Sequence, residues 1–120
     1  MPHRRLNKAI AGYHILMLLS AVDNQFNVHE DIVIREYMFQ EFPFTVNLDN
    51  EMEVISGLKP SEWKAHFTQC VDDFYEDSTQ DERNRFLKFA MMLTKADEVI
   101  TTTENEFLQI LFDAWDYHRE

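Results

Sequence analysis

An internal repeat constrains the possible folds of this chain more than any other feature of its sequence. At an offset of 74 residues, Ile15, Leu16, Met17, Leu18 and Leu19 stand opposite Phe89, Ala90, Met91, Met92 and Leu93. Asp23 stands opposite Asp97, Phe26 opposite Ile100, and Glu30 opposite Glu104. The register continues with Val33, Ile34, Tyr37 and Met38 against Phe107, Leu108, Leu111 and Phe112. One unit of helix, acidic turn and helix therefore occurs twice. Two such hairpins can bury their apolar faces against each other.

The rest of the chain supports helices. Two Gly and three Pro in 120 residues, with no Asn-Gly, Asp-Gly or Gly-Gly pair, leave few hairpin turns for a β architecture. Apolar residues at helical spacing predict a first helix over 6–22, a second opening at Asn27 and stopping before Pro43, and a short third over 48–56 closed by Gly57. A fourth starts near Pro60 and carries Trp63, Phe67, Cys70, Val71 and Phe74. The fifth, over 80–96, follows a capping box of Thr79 and Glu82, and a sixth begins at Thr101. The expectation is one all-α domain over 1–120, a bundle of five to six helices built from two pseudo-repeated hairpins. Leu16, Leu19, Phe67, Phe89, Leu93, Leu108 and Leu111 are its expected core.

Twenty-two acids against eleven Lys and Arg give a net charge of −11. That charge repels nucleic-acid phosphates and anionic membranes and favours cations or basic proteins as partners. Cys70 is the only cysteine, so it forms no internal disulfide and points to the cytoplasm. The basic residues His3, Arg4, Arg5 and Lys8 precede an uncharged stretch over 9–22, as in a secretory leader. Gly12, Tyr13 and His14 interrupt that stretch, however, and its counterpart near the C-terminus argues for a core helix. Fourteen residues are also too few to span a bilayer.

The two turns read Asp23-Asn24-Gln25-Phe26-Asn27-Val28-His29-Glu30 and Asp97-Glu98-Val99-Ile100-Thr101-Thr102-Thr103-Glu104. Asn27 with Glu30, and Thr101 with Glu104, form capping boxes, which account for both glutamates without a ligand. Each Asp sits at a helix C-terminus, where a negative charge is mildly unfavourable unless a turn hydrogen bond or a cation compensates it. The pattern resembles the tellurite-resistance TerB-like family, whose paired helical units each carry an Ala-Asp-Gly turn, an apolar residue and a downstream Glu. The resemblance covers roughly residues 9–115. It departs from the family where Asn24 and Glu98 replace the usual Gly.

What the resemblance implies is a non-catalytic accessory module of a stress or tellurite-resistance response. In that reading Asp23, Glu30, Asp97 and Glu104 converge on a hard divalent cation such as Ca²⁺ or Mg²⁺. The turns are not EF-hand loops, because Leu19 and Ala21, or Leu93 and Lys95, stand where the first carboxylate ligands would be. The alternative is a protein–protein interaction domain whose acids cap helices and whose docking surface is either the patch of Asp72, Asp73, Glu76 and Asp77, continued by Asp81 and Glu82, or an exposed aromatic surface. Arg4, Arg5 and Lys8 are the basic groups that can meet that patch, within the molecule or in another copy. His66 and Cys70 are spaced as two zinc ligands on one helix, but with no further cysteine they read as core residues. No phosphate loop, nucleophile elbow or Cys/His catalytic signature is present, so catalysis is not expected.

Overall fold

Caps and breakers cut the chain into six helices in the computed structural model, which describes residues 8–21, 28–42, 48–95 and 102–115. They are α1 (Lys8–Ala21), α2 (Val28–Glu41), α3 (Leu48–Ser56), α4 (Pro60–Asp77), α5 (Gln80–Lys95) and α6 (Thr102–Ala114). No strand occurs among the described residues, and no helix among them is long and apolar enough to cross a membrane. The radius of gyration, 13.2 Å, matches the roughly 13–14 Å expected when a chain of this length packs around one core.

Local chemistry sets the helix ends. Pro60 opens α4 with its φ already fixed, and the Lys59 amide donates to the Glu62 carboxylate at 2.9 Å. At α5 the Thr79 amide donates to Glu82 Oε1 at 2.9 Å and the Glu82 amide donates to Thr79 Oγ1 at 3.2 Å, the expected capping box. Arg83 reaches back across this turn. Its Nη1 donates to the Ser78 carbonyl at 2.7 Å, and its guanidinium lies 4.2 Å from the centre of the Tyr75 ring.

Helix ends follow the 74-residue offset, since Ala21 and Lys95 close α1 and α5, and Val28 and Thr102 open α2 and α6. Burial does not follow it. Every residue of α1 from 11 to 19 is buried, and α1 packs against each of the other five helices, most extensively against α4. α5 lies at the periphery: Met92, the counterpart of fully buried Leu18, is 62% exposed. Six of the seven expected core residues are buried, whereas Leu93 is only partly covered.

Aromatic rings fill the space around α1. Phe74 lies 4.5 Å from Phe86 and 5.1 Å from Trp115, centroid to centroid, and Trp115 Nε1 donates to the Val71 carbonyl at 3.1 Å, pinning the end of α6 to α4. Gly12 makes room for this cluster. A Cβ there would stand 2.8 Å from Met38 Cε and 3.1–3.2 Å from the Phe86 and Phe74 rings.

The front of α1 is held by acids from the α4–α5 turn. The Lys8 amide donates to Asp77 Oδ2 at 2.9 Å, and Lys8 Nζ pairs with Glu82 Oε2 at 2.7 Å. Partial burial pushes the Glu82 carboxyl up, but hydrogen bonds from Lys8 and Thr79 outweigh it and hold the group below its ordinary value.

Two outcomes follow. Gly12→Ala gains roughly 0.5–1 kcal/mol of helix propensity but overpacks two buried rings at a cost of roughly 1–3 kcal/mol. The denaturant midpoint should therefore fall, and an unchanged or higher midpoint would show this face of α1 to be loosely packed. For Glu82, the depressed carboxyl stabilises the fold above the unfolded group's value of 4.5, and that contribution is lost as pH drops through the lower folded value. Glu82→Gln should thus be less stable than wild type at pH 7, with the two curves converging on acidification below about pH 4. A stability difference independent of pH would refute the ion pair as its source.

Candidate metal centre

A helix buried on all sides cannot leave a polar side chain unpartnered without a cost of roughly 1–3 kcal/mol. His14 is the test of this rule in α1, at 1% exposure. Its ring nitrogens each meet a polar atom from another helix: Nε2 lies 2.7 Å from Glu51 Oε1 on α3, and Nδ1 lies 2.7 Å from His66 Nε2 on α4. One turn beyond His66 on the same face of α4, Cys70 Sγ lies 3.5 Å from His66 Nε2.

His14, His66 and Cys70 thus bring two imidazole nitrogens and a sulfur within 4.8 Å of one another. They form the one such group of three ligating residues among the described residues. Three helices build it, with α1 and α4 supplying the donor atoms and α3 supplying the carboxylate behind His14. Cys70 is fully buried, while His66 and Glu51 are partly exposed.

The proton pattern follows from the partners. Burial lowers the basicity of His14 below its ordinary value, despite the opposing pull of Glu51. A neutral His14 gives its one N–H to the Glu51 carboxylate through Nε2, so Nδ1 presents a lone pair, to which His66 Nε2–H donates. Burial pushes the Cys70 thiol up to about 12, and the charges of Asp73 and Glu51 act in the same direction. Without a cation the cluster therefore holds a Cys70 thiol beside a neutral His14. A bound transition-metal ion would displace the thiol proton, because coordination stabilises the thiolate directly.

The geometry is close to that of a metal site. Tetrahedral bonds of about 2.0–2.1 Å to nitrogen and 2.3 Å to sulfur place nitrogens roughly 3.3 Å apart and nitrogen and sulfur roughly 3.6 Å apart. The His66–Cys70 separation of 3.5 Å already fits, the two rings, now 2.7 Å apart, would part by roughly 0.6 Å, and the His14–Cys70 pair lies within 4.8 Å.

The residues expected from sequence fare differently. Asp23 and Asp97 lie outside the described residues, as do the side chains of Glu30 and Glu104 in the first turns of α2 and α6. The expected docking run is divided: Asp72, Glu76 and Asp77 are exposed, but Asp73 is 3% exposed and sits beside Cys70 on the buried side of α4. Asp77 and Glu82 are moreover engaged by Lys8, so the anticipated internal basic partner does meet part of the patch. Cys70 lies in the core and His66 beside it, partly exposed, and the two also meet a third ligating residue that local spacing did not show. The available clue was His14 itself, a polar residue in an otherwise apolar run.

The chain matches no family model, no curated protein and no solved structure among those compared.

Proposed function

We propose that this chain is a non-catalytic accessory module, TerB-like in its repeated hairpins, that binds a transition-metal ion in its helical core. One observation carries the reading: His14, His66 and Cys70 converge from two helices with their ligating atoms within 4.8 Å. Nitrogen and sulfur donors suit Zn²⁺ or another borderline ion better than Ca²⁺ or Mg²⁺, which take oxygen ligands. The carboxylate on the far nitrogen of His14 is the arrangement that commonly orients a metal-ligating imidazole. The family resemblance supports the accessory and stress-response part of the proposal. It placed a hard cation at Asp23, Glu30, Asp97 and Glu104, whereas the present reading sets the ion in the core.

Calorimetric titration with Zn²⁺ and with Ca²⁺ separates the two sites. One equivalent of Zn²⁺ should bind saturably and raise thermal stability, by ~2.7 kcal/mol at a hundredfold excess over the dissociation constant. Cys70→Ala should abolish this response, the alanine being tolerated at a small buried position. Absence of saturable Zn²⁺ binding would overturn the proposal. So would stabilisation by Ca²⁺ or Mg²⁺ alone that is lost in the double variant Asp23→Asn, Asp97→Asn.

A further inference from the structure

Resting on the metal-binding reading above, the geometry points to Glu51 as the residue that makes the core site selective for a divalent ion: it fixes His14 as an Nδ1 ligand and adds a negative charge to that of the Cys70 thiolate. The tie is direct, since Glu51 Oε1 accepts from His14 Nε2 at 2.7 Å while Nδ1 faces the other two donors. With its proton held on Nε2, His14 has only Nδ1 to offer a metal.

The charge argument comes from the ligand set. Two neutral imidazoles and one thiolate carry a single negative charge, which a monovalent soft ion would neutralise. The Glu51 carboxylate brings the total to two, matching a divalent ion. In an interior of low dielectric, each fixed charge attracts a doubly charged ion twice as strongly as a singly charged one. Glu51 is thus a positioning residue, acting on the metal through His14 and through its field.

Binding also redistributes protons in a defined way. The thiol proton leaves to solvent as the Sγ–metal bond forms, His66 moves its proton from Nε2 to Nδ1 to free the ligating lone pair, and His14 keeps its proton toward Glu51.

The test compares wild type and Glu51→Gln with Zn²⁺ and with Ag⁺ as a monovalent soft probe. Glutamine keeps an oxygen acceptor for His14 Nε2–H and removes only the charge. Zn²⁺ affinity should fall about ten- to a hundredfold, and Ag⁺ affinity by the square root of that factor, about three- to tenfold. Equal loss of both ions would reduce Glu51 to a structural prop and overturn the inference. Unchanged Zn²⁺ affinity would overturn it while leaving the core metal site standing. A wild-type protein that binds neither ion would remove the metal reading itself. Nitrogen-resolved NMR of Zn²⁺-loaded wild type gives a readout independent of the variant's folding: His14 should be protonated at Nε2 and metal-bound at Nδ1. Coordination through Nε2 would refute the role assigned to Glu51.

Discussion

The burial of α1 governs the architecture. A 14-residue helix with no exposed face must be enclosed on every side, and the other five helices do this. Enclosure requires a close approach at Gly12, where Met38, Phe74 and Phe86 converge on the backbone. It also requires that each polar side chain on α1 find a partner inside the protein. Tyr13 meets this by donating to Asp31 at 2.6 Å, and Lys8 by pairing with Glu82 at the helix front. His14 meets it with two partners from α3 and α4, and the candidate site is the outcome.

Much of the fold was legible in the sequence because its determinants are local. Pro60, Gly57 and the Thr79–Glu82 box mark helix ends within a few residues of themselves, and the bounds of α3 and the start of α4 fall where they predict. The apolar register also identified Phe67, Cys70 and Leu111 as core. What the register did not carry is which of two matched helices is central. Leu18 and Met92 stand opposite each other at the 74-residue offset, yet one is enclosed and the other exposed, because enclosure depends on α3 and α4 lying over α1.

The site was less legible for the same reason. His66 and Cys70 lie one turn apart and were visible as a pair, but His14 is 52 residues from His66 and Glu51 is 37 residues from His14. No local spacing relates them. Asp73 was misplaced for a related reason: in a run of acids, position in sequence suggests solvent, while packing of α4 against α1 turns that one carboxylate inward. The acidic character of the chain thus divides between an exposed face and groups that hold the interior together, namely Glu51 on His14, Asp31 on Tyr13 and Glu82 on Lys8.

If the polar cluster of the core is a metal centre, His14, His66 and Cys70 are the residues that surround the ion. X-ray absorption at the zinc edge, on protein loaded with one equivalent of Zn²⁺, reads this directly. The account predicts a first shell with imidazole nitrogen at about 2.0–2.1 Å and one sulfur at about 2.3 Å, from His14, His66 and Cys70. A first shell of oxygen and nitrogen without sulfur would contradict it.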